Sequence, residues 1–220
     1  MARMDLPDVS ALTVAILGGT GDQGRGLALR LVGAGQRVLI GSRTAERGRA
    51  AGAEVGAEGG DNASVAAAAD VVIVAVPWAG HAELLAELRA ELAGKIVVDC
   101  VNPLGFDKQG PYALAVEEGS AAQQAAALLP DSRVTAAFHH VSAPLLLDPE
   151  VASLDIDVLV LGDDREAAAV VQALAGLIPG MRGIWAGRLR NAHQVEALTA
   201  NLIAINKRYK AHAGVRVTDV

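Results

Sequence analysis

Short apolar runs alternate along this chain with longer stretches whose apolar positions recur every three or four residues. Thr13–Leu17 reads as a strand buried on both faces, and Leu27, Leu29, Leu31 and Val32 give the next segment one apolar side. Arg37 to Ile40 begin a second strand, followed by an Ala-rich helix over 44–54 and a shorter one over 62–69 with Asn62 as its N-cap. The run 70–76 is a further buried strand, stopped by Pro77-Trp78. A helix over 80–92, a strand over 95–98, a loop over 102–105, a helix over 120–129 and a strand over 133–138 complete the first part. Pro144 and Pro149 then punctuate the chain, which places a soft boundary near residue 145. Beyond it come a strand over 158–161, a helix capped by Asp163-Asp164 that runs to 177, and a long helix over 191–209. That last helix carries a stripe of Ala192, Val195, Leu198, Leu202, Ile205 and Tyr209, which reads as core or, preferably, as a dimer face. Alternating strands and helices predict a parallel sheet with right-handed crossovers.

The turn between the first strand and its helix is glycine-rich. Gly19, Gly21 and Gly24 stand in the spacing G-x-G-x-x-G. The first permits a sharp turn, the second removes a Cβ that would hold a pyrophosphate away, and the third lets helix and strands pack closely. The helix then aims its free N–H groups at the phosphates. The motif alone is a weak signal; its position between strand and helix makes it a dinucleotide site.

The end of the second strand selects the cofactor. An NAD site places a carboxylate there for the ribose hydroxyls. This chain has Gly41-Ser42-Arg43, with Arg47 one helical turn later. Ser42 and Arg43 suit a 2′-phosphate, and Thr20 in the glycine turn adds a hydroxyl. Two hydrogen bonds to a charged group, each worth roughly 1.5–3 kcal/mol, favour NADP by roughly 100-fold or more. Arg47 and Arg49 also read as solvated residues of an Ala-rich helix. Arg43 fits that reading less well, because a cation at a helix N-terminus opposes the dipole.

Composition narrows the class. The chain has 220 residues, 52% apolar and only 3% aromatic, which suits close helix–sheet packing and argues against disorder. A net charge of −6 argues against a nucleic-acid surface. Cys100 is the single cysteine, so no disulfide framework exists within the chain, as expected in a reducing cytoplasm. No signal peptide or membrane span is read in the chain.

Ligands of an open α/β sheet gather outside the carboxyl ends of its strands. Besides the glycine turn, that rule selects Pro77-Trp78-Ala79-Gly80, Asn102-Pro103-Leu104 and Phe138-His139-His140-Val141-Ser142-Ala143. Pro77 and Trp78 offer a flat apolar wall. His139 and His140, adjacent on an extended segment, are expected to point to opposite sides, so at most one faces the pocket. They do not read as a metal pair, and each reads equally well as a satisfied strand-end residue. No nucleophile–base–orienter set is evident, as suits hydride transfer, where the protein supplies distance, angle and dryness.

Over its length the chain resembles the F420H2:NADP oxidoreductases, the NADPH-dependent F420 reductases. The matching residues are 17–24 in the glycine turn, Gly41-Ser42-Arg43, Val76-Pro77-Trp78, Asn102-Pro103-Leu104, Gly119-Ser120-Ala121-Ala122, Ala136-Ala137-Phe138-His139, Gly162-Asp163-Asp164 and the run 191–199. They span nearly the whole chain in the family's order. The resemblance implies a Rossmann-type, doubly wound, mostly parallel α/β sheet with a small C-terminal α/β-helical extension. It implies an NADP-binding domain over 1–145 and a domain over 146–220 that walls the F420 pocket and dimerises. It implies reversible hydride transfer between C4 of the nicotinamide of NADP(H) and C5 of the 8-hydroxy-5-deazaflavin of coenzyme F420. The cofactor-binding residues so implied are Gly19, Thr20, Gly21, Asp22, Gln23, Gly24, Ser42, Arg43, Arg47, Val76, Pro77, Trp78, Asn102, His139, Val141 and Ala143. His140 is assigned no role, because the position varies in the family. Lys207, Arg208 and Lys210 could meet the anionic tail of F420, although cations in a last helical turn also answer the dipole. The expected assembly is a cytoplasmic homodimer without metal, nucleic-acid or membrane partners.

Two other readings share the nucleotide half. An imine reductase of the pyrroline-carboxylate type carries a longer, all-helical C-terminal domain, which residues 146–220 with their strand do not match. A non-catalytic NADP sensor would not need an apolar platform such as Pro77-Trp78 beside the nicotinamide.

Overall fold

The computed structural model describes residues 6–220. Its frame is one sheet of eight strands. In chain order these are β1 Thr13–Leu17, β2 Arg37–Ser42, β3 Glu58–Asp61, β4 Val71–Val74, β5 Ile96–Asp99, β8 Arg133–Ala136, β9 Asp157–Gly162 and β10 Arg182–Gly187. Their spatial order is β10-β9-β8-β5-β4-β1-β2-β3. The first six of these strands run parallel, β9 is antiparallel to β8, and β10 is parallel to β9. The order reverses between β1 and β4, which opens the crevice where such sheets take their ligands. The fold is thus the doubly wound Rossmann type. Two strands, β6 Leu104–Asp107 and β7 Gly110–Ala113, form a separate hairpin.

Helices cover both faces: α1 Asp22–Gly33, α2 Ala45–Val55, α3 Asn62–Ala68, α4 His81–Glu87, α5 Arg89–Leu92, α6 Ala121–Leu128, α7 Ala143–Leu147, α8 Arg165–Gly176 and α9 Ala192–Tyr209. One cluster packs Ile16, Ile40, Ile73 and Val98 with Leu27 and Leu31 of α1 and Val171 and Leu174 of α8. The other packs Leu17, Val72 and Val97 with Leu85, Leu92, Ala122 and Val195. Strands covered on both faces carry apolar residues at nearly every position, which is why β1 and β4 read as near-continuous apolar runs. Cys100, just past β5, is buried, and its thiol donates to the Val74 carbonyl at 2.9 Å. Burial raises its pKa well above that of an ordinary thiol.

Several sequence expectations shift. Asp61, not Asn62, caps α3, its carboxylate accepting from the Ser64 amide at 2.9 Å. The helix over 80–92 breaks into a 3-10 turn Trp78–Gly80 and two helices that part at Leu88. The loop over 102–105 runs into the β6–β7 hairpin. The edge strands β3 and β10 carry no sequence expectation; two glycines in each hide their character. In β3 those glycines serve packing, because a Cβ on Gly59 or on Gly48 of α2 would overlap the other element's backbone. Residue 145 lies inside α7, and the strands beyond it join the same sheet.

A polar clasp anchors α7 to α1. The Arg30 guanidinium donates to the carbonyls of Leu145, Leu146, Asp148 and Val151 at 2.7–2.9 Å, so an α1 side chain satisfies the frayed C-terminus of α7. The C-terminal segment is pinned in a related way. Asp157 holds Arg182 through two 2.7 Å bonds and Arg216 at 3.1 Å, and Arg182 in turn reaches the Val217 carbonyl at 3.0 Å.

Candidate cofactor site

The glycine turn sits on the carboxyl end of β1. Its left-handed residue is Gly18, at φ 70°, one position before the spaced motif; the Gly18-Gly19 pair was the available signal. A Cβ on Gly18 would come within 2.6 Å of Val76, and one on Gly19 within 2.7 Å of Ile40, so the turn is wedged between β2 and the end of β4. The Gly19 amide donates to the Gly41 carbonyl at 3.2 Å. A Cβ on Gly24 would lie 2.7 Å from Gly19 Cα, which matches the close-packing role expected of the third glycine. Gly21 differs: a Cβ there would meet nothing nearer than the Gly18 carbonyl oxygen at 3.6 Å. Packing does not require this glycine, and its open side fits a pyrophosphate drawn against the backbone. Gly21 is the N-cap of α1 and offers no side-chain cap, so the first amides remain available to an anion.

Ser42 is buried at the end of β2, while Arg43 and Arg47 are exposed beyond it. Among the described residues neither arginine forms an ion pair. The carboxylate of the neighbouring strand end, Asp61, is in register with Ser42 but is engaged by Ser64. These features fit a 2′-phosphate. Thr20 lies half-buried in the turn. Asp22 is exposed and pairs with Arg25 at 3.0 Å. Gln23 reaches across the crevice and donates to the Phe138 carbonyl at 3.2 Å.

The far wall is built from three strand ends. Val76 and Trp78 are half-buried and Pro77 is exposed after β4. Asn102, after β5, donates to the His139 carbonyl at 2.9 Å, and Thr199 of α9 donates to the same carbonyl at 3.1 Å and to Asn102 Oδ1 at 3.3 Å. Asn102 thus straps the wall together. The segment after β8 is a turn, not an extended strand end: Phe138 takes φ 64° although it is bulky and fully buried. Both histidines are buried in this turn. His140 Nε2 accepts from the Leu159 amide at 3.4 Å, which turns its ring to β9. Among the described residues His139 has no partner on either ring nitrogen, and burial pushes its pKa down to about 4. A neutral, unpaired imidazole in the wall fits a ligand that brings its own polar edge. Val141 is buried, and Ala143 opens α7, where Arg30 holds the helix's far end.

Sequence reasoning missed a buried polar group beneath this wall. His81 Nε2 meets Asp99 Oδ2 at 2.6 Å, and both side chains are fully buried. Glu196 of α9, also buried, accepts from the Ala121 and Ala122 amides at 3.0 and 3.2 Å. Burial raises Glu196 to about 7, against the pull of those two amides. The three residues sit in helix- and strand-like runs, so no pattern marked them as a group. One cavity of about 440 Å³ lies at the opposite, amino ends of the strands, among Leu12, Asp70, Lys95 and Arg133. The topology places ligands at the other edge, so this cavity is not the candidate site. Among the described residues no cluster suited to a metal is present, and no helix is long and apolar enough to cross a membrane.

A glycine turn at the point where the sheet order reverses, with a cationic lip beside it, defines a dinucleotide-binding protein of the Rossmann class. A family model described as "NADP oxidoreductase coenzyme F420-dependent" matches residues 13–103. The chain is 39% identical to the F420-dependent NADP reductase of Methanothermobacter thermautotrophicus, covering 96% of this chain and 97% of that one. It is 37% identical to that of Methanocaldococcus jannaschii, over 95% and 99% respectively. A crystal structure from Arthrobacter sp. FB24, provisionally assigned as an F420-dependent NADP reductase, superposes with TM-score 0.80 and 28% identity over 94% of this chain and all of that one. The chain belongs to the F420-dependent NADP reductase family.

Proposed function

We propose that this protein catalyses reversible hydride transfer between NADP(H) and coenzyme F420. The observation that carries the reading is the end of β2, where buried Ser42 is followed by exposed Arg43 and Arg47, neither in an ion pair among the described residues, and the neighbouring Asp61 carboxylate is engaged by Ser64. When bound, the two cofactors supply the chemistry: a hydride passes from the nicotinamide C4 to the deazaflavin C5, with a proton taken from solvent. The chain's own residues bind, orient and exclude water. The open side of Gly21 and the α1 amides hold the pyrophosphate. Ser42, Arg43 and Arg47 hold the 2′-phosphate, and Thr20 adds its hydroxyl. Val76, Pro77 and Trp78 wall one side of the reacting rings, and the segment from His139 to Ala143, strapped by Asn102, walls the other. Holding two planar reactants in a near-attack arrangement supplies several kcal/mol of the barrier reduction, roughly 7–11 at best, without an acid or base.

In this reading residues 146–220 complete the F420 wall and contribute to a homodimer in the cytoplasm. Much of the α9 stripe is core, with Ala192, Val195 and Leu202 buried within the chain itself; the dimer reading is supported by its end alone, where Ile205 and Tyr209 are exposed, Tyr209 by 72%. The test of function is direct. NADPH should bleach the visible absorbance of oxidised F420 in the presence of the purified protein, and NADH much less. Tight NADPH binding without bleaching would replace this reading with a sensor.

A further inference from the structure

Beneath the two walls lies the buried His81–Asp99 pair. His81 opens α4 directly after the Trp78–Gly80 turn, and its ring centroid stands 5.4 Å from that of Trp78, tilted by 32°. Its Nε2 meets Asp99 Oδ2 at 2.6 Å, and its Nδ1 meets Gln124 Oε1 at 3.1 Å. The Gln124 amide is oriented by its other end, which donates to Glu118 at 3.3 Å. Both imidazole nitrogens therefore face acceptors, an arrangement that suits the doubly protonated ring. Burial opposes that charge, and the bonds to Asp99 and Gln124 outweigh it, so the His81 pKa is raised.

The second Asp99 oxygen points elsewhere. Oδ1 accepts from the Val101 amide at 3.0 Å, which fixes the Cys100–Val101 peptide one residue before Asn102. Asn102 then donates to the His139 carbonyl, where Thr199 also bonds. One ion pair thus has two arms. The first lies under Trp78. The second runs through Val101 and Asn102 to the loop after β8.

A fully buried ion pair is a poor device for stability, since apolar replacements of similar volume are often neutral or better. Its value lies in fixed geometry. We propose that His81 and Asp99 are positioning residues for hydride transfer: the pair sets the height of Trp78 on one wall and of Asn102 and the His139 carbonyl on the other. The proposal rests on the function proposed above. Both side chains are fully buried, and neither lies at the end of β2 beside Ser42.

The experiment uses the full chain and four variants: Asp99→Ala, Asp99→Asn, Asn102→Ala and the double variant Asp99→Ala/Asn102→Ala. Asp99→Ala removes the acceptor of both arms. Because a misplacement of about 1 Å can lower a rate by roughly 100-fold, kcat for F420 reduction should fall roughly 30- to 100-fold, with the Kd for NADPH within about 3-fold of wild type. Asp99→Asn keeps an acceptor for Val101, and a neutral His81 can accept from its amide, so this variant should recover most of the lost rate. The double variant should fall no further than the worse single change, because both act on one strap. If Asp99→Ala does not fold, Asn102→Ala and Asp99→Asn still test the strap. In NADPH-bound protein, amide exchange at 101–103 and 139–141 should quicken in Asn102→Ala and stay near wild type in Asp99→Asn.

The proposal fails if Asp99→Ala keeps kcat within about 3-fold, if the two losses multiply, or if NADPH affinity falls as far as kcat. It fails equally if Asn102→Ala leaves exchange unchanged. A wild-type protein that binds NADPH but does not reduce F420 sinks the function reading instead, and the exchange measurement still judges the strap.

Discussion

Gly21→Ala separates folding from function more cleanly than any other change in this chain. Gly21 has φ −83° and ψ 162°, a backbone that alanine adopts freely. The new methyl would touch only the Gly18 carbonyl oxygen, at 3.6 Å, an ordinary contact. Replacing glycine reduces the entropy of the unfolded chain, a gain of about 0.4–1 kcal/mol. Alanine is a poorer N-cap than glycine, a loss of similar size. The two offset, so the urea midpoint should stay within about 0.5 kcal/mol of wild type. Nucleotide binding has no such compensation. The methyl occupies the space through which a pyrophosphate would approach the α1 amides. Losing one hydrogen bond to a charged group, at roughly 1.5–3 kcal/mol, weakens NADPH by about 10- to 100-fold, and losing a second weakens it further. Gly24→Ala is the opposite control: its Cβ would stand 2.7 Å from Gly19 Cα, and overpacking there should destabilise the fold by about 1–3 kcal/mol. Calorimetric titration with NADPH, alongside urea unfolding, reads both. If folded Gly21→Ala binds NADPH within about 3-fold of wild type, the pyrophosphate does not lie where the turn implies.

Other changes probe the remaining parts. Arg43→Ala should raise the KM for NADPH roughly 10-fold and leave NADH within about 2-fold; exposure places the effect at the low end for a charged hydrogen bond. An equal effect on both nucleotides would remove the 2′-phosphate role. Arg30→Ala frees four carbonyls around α7 and should lower stability by about 2–4 kcal/mol in urea, with an unchanged midpoint refuting the clasp. Glu196 is raised to about 7 from an ordinary 4.5, so the folded state binds the extra proton and stability falls as pH rises between those values. Glu196→Gln should flatten that part of the profile. His139, lowered to about 4 from 6.5, acts with the opposite sign: its contribution is complete above 6.5 and lost as pH falls toward 4. His139→Gln should therefore reduce acid sensitivity in that window.

The sequence exposed the fold wherever one cause dominated. Strands buried on both faces, such as β1 and β4, are dominated by apolar residues, so their runs are easily read. The glycine turn was legible because sterics leave few substitutes. Edge strands were not: β3 and β10 are held by backbone contacts and pairing, and their glycines resemble loop residues. The proposed phosphate lip rests on the fixed distance of Ser42 and Arg43 from the glycine turn, which the sequence alone displays. The wall after β8 was not, because it depends on Phe138 holding a left-handed backbone, which nothing local demands. His81, Asp99 and Glu196 come from three separate segments and meet only after the helices dock. Their partnership is a property of packing, not of spacing.

Cys100 gives the chain an internal reporter. As the sole thiol, buried beneath the crevice with its proton on the Val74 carbonyl, it resists thiol reagents while the sheet is closed. Its alkylation rate under native conditions would count the moments when the centre of the sheet opens, and NADPH that binds across the switch point should slow that clock.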